Sequence, residues 1–177
     1  MGPLLDELGD RVIAARGRAV LALGREGAVW AQNVWTDPVW LHISSIGDAA
    51  RKLSAMQRNW RAHLDFESGL NRRATLVEQS LPHVSAKPLV YGEPAPSAPL
   101  GAFLLWRPDL MLASAATSSP FADGEARFEE NRDEPPGRAY LKLWESFTLL
   151  GKKPGPGDLC VELGAAPGSW TWVLAQT

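Results

Sequence analysis

Val161-Glu162-Leu163-Gly164-Ala165-Ala166-Pro167-Gly168-Ser169-Trp170 is the stretch on which the fold turns. Leu159 to Leu163 is a short apolar run of the kind that forms a strand buried on both faces. Small residues follow from Gly164 to Gly168, and Ser169-Trp170 opens a helix. A buried strand that passes the chain to a small-residue loop and straight into a helix marks the carboxyl edge of an open α/β sheet, where ligands bind. Gly164 and Gly168 have no side chain, so backbone can approach a ligand closely. The N–H groups at the helix start can receive a carboxylate or another anion. Gly164, Ala165, Ala166, Pro167, Gly168, Ser169 and Trp170 are the candidate ligand-binding residues. An ordinary tight turn between strand and helix is the alternative.

Three cofactor classes use such a loop. A Walker phosphate loop needs a Gly-Lys-Ser/Thr ending, which is absent, and a dinucleotide fingerprint needs G-x-G-x-x-G where this chain has G-x-x-x-G. The remaining class is the Rossmann-like fold that binds S-adenosyl-L-methionine. Just upstream, Arg138 to Leu150 reads as a helix with Tyr140, Leu143, Trp144 and Phe147 on one face. Gly151 ends it, and Pro154-Gly155-Pro156-Gly157-Asp158 is a tight turn.

Further upstream, Pro120 to Pro136 is acidic and loop-like, with Asp123, Glu125, Glu129, Glu130, Asp133 and Glu134 against Arg127 and Arg132. The expected organisation is an α+β domain over 1–120, a Pro/Gly linker over 121–137, and the first elements of an α/β Rossmann-like domain over 138–177. Within the first domain, Arg11 to Leu23 and Ala28 to Trp35 read as β-like runs split by Gly24-Arg25-Glu26-Gly27. Val39 to Ile43 alternates as a strand, and Ser45 caps a helix whose apolar positions recur from Ile46 to Trp60. A second helix is expected from Arg72 or Arg73 to Leu81, stopped at Pro82. Lys87 to Tyr91 reads as a strand, and Gly92 to Pro99 as a proline-rich loop inside the same domain. Gly101–Arg107 and Leu110–Ala115 read as a hairpin around Pro108-Asp109. No internal repeat is found.

The chain has 177 residues, 45% hydrophobic and 21% charged, with a formal net charge of -2. That is the composition of a soluble globular protein, and the charge does not announce a nucleic-acid binder. Arg51, Lys52, Arg58, Arg61, Arg72, Arg73 and Lys87 still give the middle of the chain a positive balance. Such residues can contact phosphates or simply be solvated. Eight tryptophans serve either packing or base stacking. Cys160, the only cysteine, is expected as a small buried hydrophobe in a reducing compartment. His42, His63 and His83 have no metal-like spacing. The first residues lack a basic n-region and an apolar h-region, and no apolar stretch approaches a membrane span. A soluble cytoplasmic location is the expectation.

Two motifs taken together resemble a known family. Arg138-Ala139-Tyr140-Leu141-Lys142-Leu143, followed about twenty residues later by Glu162 to Trp170, resembles the opening of the catalytic domain in FtsJ-type RNA 2′-O-ribose methyltransferases. Val29 to Trp35, the stretch reaching Lys52-Leu53, and Ser85 to Leu89 look like the N-terminal part of the RlmM-like branch, which acts on 23S rRNA. The resemblance implies an N-terminal RNA-binding domain of THUMP or ferredoxin-like type and S-adenosyl-L-methionine as cofactor. It also implies RNA, in this branch ribosomal, as partner, with no metal and no membrane. Lys142 matches the first lysine of the family's Lys-Asp-Lys-Glu catalytic set, while the other three would lie beyond Thr177. Ser169 replaces a glycine usual in that loop. On this reading the catalytic domain is incomplete, and methyl transfer by this chain alone is not expected. The alternatives are a binding module without catalysis, and a methyltransferase acting on a small molecule or protein.

Overall fold

A computed structural model describes residues 2–24, 28–65, 67–85 and 87–177. The chain divides into two compact units. Met1–Ala86 and Ser97–Glu125 form the first, and Lys87–Pro96 and Ala126–Thr177 the second.

The first unit is built on a four-stranded sheet in the order β4-β7-β6-β5, from β4 (Val39–His42), β5 (Trp60–Ala62), β6 (Gly101–Arg107) and β7 (Leu110–Ser114). β5 and β6 are parallel and the other pairs antiparallel. Two helices, α2 (Ile46–Met56) and α3 (Asn71–Gln79), alternate with the strands along the chain. The sheet elements therefore run β-α-β-α-β-β, whereas a ferredoxin-like unit runs β-α-β-β-α-β.

Local chemistry accounts for α2. The Ser45 hydroxyl accepts the Asp48 N–H at 3.1 Å, and the Asp48 carboxylate accepts the Ser44 N–H at 3.0 Å. This reciprocal cap satisfies donors that a helix start leaves free. Ala49, Ala50 and Leu53 then recur on one face, and all are buried. At the other end, the Trp60 indole N–H is shared between the carbonyls of Leu53 and Gln57, at 3.0 and 2.9 Å. With Phe103, Leu105, Met111 and Val77, these residues make the core of the unit.

Several expectations need correction. Arg11 to Leu23 is a hairpin of β1 (Val12–Arg16) and β2 (Ala19–Ala22), turning at Gly17-Arg18. Gly17 has φ +53, and a Cβ there would stand 2.6 Å from the Asp65 carboxylate, so glycine makes the turn possible. α1 (Gly2–Leu8) precedes the hairpin. Ala28 to Trp35 is not a strand; only Trp35 enters one, in β3 (Trp35–Thr36), paired with β8 (Ala116–Thr117). Of the turn placed at Gly24 to Gly27, residues 25–27 lie outside the described residues, as does Ala86 of the 85–89 run.

Lys87 to Tyr91 makes a single bridge, Leu89 with Phe128, and Gly92 to Pro96 belongs to the second unit, not to the N-terminal domain. Residues 121–137 are not a free linker, because Phe121 and Phe128 are buried in the first and second unit respectively. The largest correction is Leu159 to Leu163. It forms no strand, and Leu159 is 94% and Leu163 91% exposed. Cys160 is exposed with them. A strand exists only where a neighbour takes its N–H and C=O groups. Among the described residues, the second unit has only that one bridge and two helices, α4 (Tyr140–Leu150) and α5 (Ser169–Leu174).

Candidate functional site

The second unit is organised by aromatic side chains. Trp144 of α4 stacks on Tyr91 at 4.4 Å between centroids, and meets Tyr140 and Phe128 edge-on at 4.6 and 5.7 Å. Tyr140 also meets Trp172 of α5 at 5.5 Å. Edge-on and offset pairs add to the burial of apolar surface. Val173 closes the cluster. Burial raises the hydroxyl pKa of Tyr91 and of Tyr140 above the ordinary phenol range. The Tyr140 hydroxyl donates to the Asn131 carbonyl at 3.0 Å. Tyr91 was missed as a partner because its segment is remote in sequence and lacks helical periodicity.

This cluster fixes α5 beside α4 and so locates the candidate loop. Two side-chain bonds pin the loop to the turn that opens α4. The Trp170 indole N–H donates to the Ala139 carbonyl at 2.8 Å, and the Ser169 hydroxyl donates to the Gly137 carbonyl at 3.1 Å. The two motifs separated along the chain are thereby brought to one place. Ser169 is buried, and its hydroxyl is engaged by that bond.

Gly164 and Gly168 have φ of +73 and +101, the left-handed region that favours glycine. Gly168 precedes α5 directly, and the Trp172 N–H bonds back to its carbonyl at 2.8 Å. Gly164, Ala165, Ala166 and Pro167 are exposed. Ala165 to Gly168 line an open surface depression together with Pro136, Thr171 and Trp172. Nothing stands within 4 Å of where a Cβ on Gly164 would lie, so the loop has room for a ligand against its backbone. Thr171 donates to the Glu162 carboxylate at 2.5 Å, a bond the sequence reading did not foresee.

Lys142 lies exposed in the first turn of α4, the helix that carries Tyr140 and Trp144 inward. Arg138, at the foot of the same helix, pairs with Glu130 at 2.6 Å. Several basic residues of the middle chain are engaged by carboxylates within the first unit. Arg51 and Lys52 both engage Asp48, Arg61 engages Glu78 at 2.6 Å, and Lys87 belongs to the other unit. His63 pairs with Asp123 at 2.7 Å, which lowers the Asp123 pKa. Among the described residues, no group of three or more His, Cys, Asp or Glu side chains is placed to hold a metal ion. Among the described residues, no helix is long and apolar enough to cross a membrane.

Curated proteins named ribosomal RNA large subunit methyltransferase M are similar to this chain. The one from Alkalilimnicola ehrlichii is 32% identical over 149 residues, covering 78% of this chain and 35% of that protein. Those from Methylococcus capsulatus and Halorhodospira halophila are 41% identical over 63 residues and 48% over 44. These two matches cover 33% and 23% of this chain, and 18% and 13% of the relatives. The chain thus spans 13% to 35% of the length of these relatives. No family model matches, and no solved structure matches.

Proposed function

We propose that this chain supplies the cofactor loop and the first catalytic lysine of an S-adenosyl-L-methionine-dependent methyltransferase, one that modifies a ribose 2′-hydroxyl of ribosomal RNA. One observation carries the reading: Trp170 and Ser169 bond to Ala139 and Gly137, so the Gly164–Trp170 loop is tied to the turn that opens the Lys142 helix. Methyl transfer to a hydroxyl needs a methyl donor and a group that activates the acceptor, held in line. The similarity to proteins named as ribosomal RNA methyltransferases supports the same reading.

Bound S-adenosyl-L-methionine supplies a methyl group on a sulfonium. The chain's part is to hold that group and present the acceptor. Residues 164–168 offer backbone that a ligand can approach, since Gly164 and Gly168 carry no side chain and Ala165 and Ala166 carry only a methyl. The Lys142 ammonium orients the 2′-oxygen and stabilises the negative charge that develops on it. A second reading, a non-catalytic RNA- or partner-binding module, has the exposed Leu159–Leu163 run in its favour.

A chimera separates the two. The matching segment of the Alkalilimnicola relative is replaced by this chain, and methyl transfer to large-subunit RNA is read as resistance of one phosphodiester to alkali. That cleavage needs a free 2′-hydroxyl. Transfer is expected, with Lys142→Ala reducing it by about 100-fold or more, within the range for removing one group that stabilises developing negative charge. A folded chimera that binds the cofactor and transfers nothing favours the binding module. Methylation that leaves the alkaline ladder unbroken would refute the ribose assignment.

A further inference from the structure

Glu7, on α1, reaches a turn at Ala28–Ala31. One carboxylate oxygen accepts the Val29 N–H at 2.8 Å and the other the Trp30 N–H at 3.1 Å, while the Ala31 N–H closes on the Ala28 carbonyl at 3.1 Å. Those bonds hold the Glu7 carboxyl below its ordinary pKa, with a smaller contribution from the nearby Arg11 charge. Yet the two central side chains of this fixed turn are left in solvent, Val29 86% and Trp30 65% exposed. A carboxylate from another element thus holds an aliphatic and an aromatic side chain in the open.

We infer that Trp30 is a stacking site for an unpaired RNA base, an inference that rests on the reading of RNA as substrate. Three features favour a base over a protein segment. Both N–H groups at the tip are used by Glu7, so the turn cannot accept an added β-strand. One indole and one valine make a patch far below the roughly 1,000 Å² of a stable protein interface, whereas a single ring face is enough for one base. The turn is also held by three hydrogen bonds, which lowers the conformational entropy lost when a base docks.

The full chain is titrated with labelled oligouridylate across a salt series, followed by anisotropy. Trp30→Ala is expected to weaken binding about tenfold, the loss of one stacked base. The slope of log affinity against log salt stays unchanged, because no phosphate contact is removed. Trp30→Leu, which keeps apolar bulk without a ring, should fall with Trp30→Ala, while Trp30→Phe keeps most of the affinity. Thermal unfolding checks that each variant is folded. If the chain binds the oligomer and Trp30→Ala matches the parent, the inference falls and the RNA reading stands. If the chain binds no RNA at any salt, both fall. If Trp30→Ala and Trp30→Leu differ, with only the alanine variant weakened, the contact is apolar rather than stacking and the inference also falls.

Discussion

β6 and the run Leu159–Leu163 read alike in sequence. Gly101-Ala102-Phe103-Leu104-Leu105-Trp106-Arg107 and Leu159-Cys160-Val161-Glu162-Leu163 are both short apolar stretches entered from proline- and glycine-containing turns. Their fates differ completely. β6 lies between β5 and β7 with Phe103, Leu104 and Leu105 buried, while Leu159–Leu163 pairs with no strand among the described residues and leaves Leu159, Val161 and Leu163 in solvent. Local sequence sets the capacity to be a strand; neighbours that accept its backbone bonds decide whether one forms. The second unit has helices that satisfy their own backbone, and an aromatic cluster that needs no sheet.

Alanine substitution on the two runs gives the largest contrast. Phe103→Ala removes a ring with no solvent exposure from the core of the first unit and should cost about 3–5 kcal/mol. Leu163→Ala removes a side chain that contributes little packing, and should change stability by under about 0.5 kcal/mol. Urea unfolding of the two variants measures both. A Leu163→Ala cost approaching that of Phe103→Ala would mean that the run is buried in solution, and the contrast would collapse.

The same contrast explains what could be read from the sequence. α2 was legible because its signals are local, Ser45 at the cap and Ala49, Ala50 and Leu53 at helical spacing, although the pattern runs on to Trp60, which lies in β5 beyond the helix end at Met56. The β6–β7 hairpin was legible through Pro108-Asp109, and α4 through its aromatic stripe and Gly151, which has φ +62. The loop at Gly164–Gly168 and the helix start at Ser169 were placed correctly, but not the state of the strand before them. What failed depended on distant residues. The turn at Gly17 is selected by Asp65, which no local pattern announces. The membership of Lys87–Pro96 in the second unit depends on Tyr91 meeting Trp144. Bonds from Trp170 and Ser169 to main-chain carbonyls of residues 139 and 137 leave no signature, because any residue offers a carbonyl.

Two glycines carry the comparison to backbone strain. Gly17 and Gly168 both have left-handed φ, which costs an alanine about 1–2 kcal/mol. At Gly168 the added methyl meets only Pro136, at 3.9 Å, an ordinary contact. At Gly17 it would displace Asp65, whose carboxylate bonds Arg16 at 2.7 Å and whose side chain is fully buried. Gly17→Ala should therefore destabilise the first unit by more than Gly168→Ala destabilises the second. Thermal melts compare them. Equal costs would show that Asp65 yields freely and that neighbours matter less than backbone conformation.

The smallest effect tests the two helix starts. α2 is capped by side chains, and α5 follows Gly168 with no side-chain cap. The Asp48 carboxyl is lowered to about 2, first by the Ser44 N–H and then by Lys52. A depressed folded pKa means that the contribution is present above the unfolded carboxyl's pKa, near 4, and is lost as pH falls toward 2. Asp48→Asn should remove that part of the acid response, so the stability difference between parent and variant shrinks through pH 4 to 2. Glu7 and Asp123 are also lowered, so the variant keeps some acid sensitivity. Hydrogen exchange on the two units separates the effects: α2 amides should lose protection in this window in the parent, with α5 amides unaffected by the substitution. Equal response of α5 to Asp48→Asn would mean that the two units unfold as one, and that the neighbours deciding the fate of Leu159–Leu163 must then be sought across the whole chain.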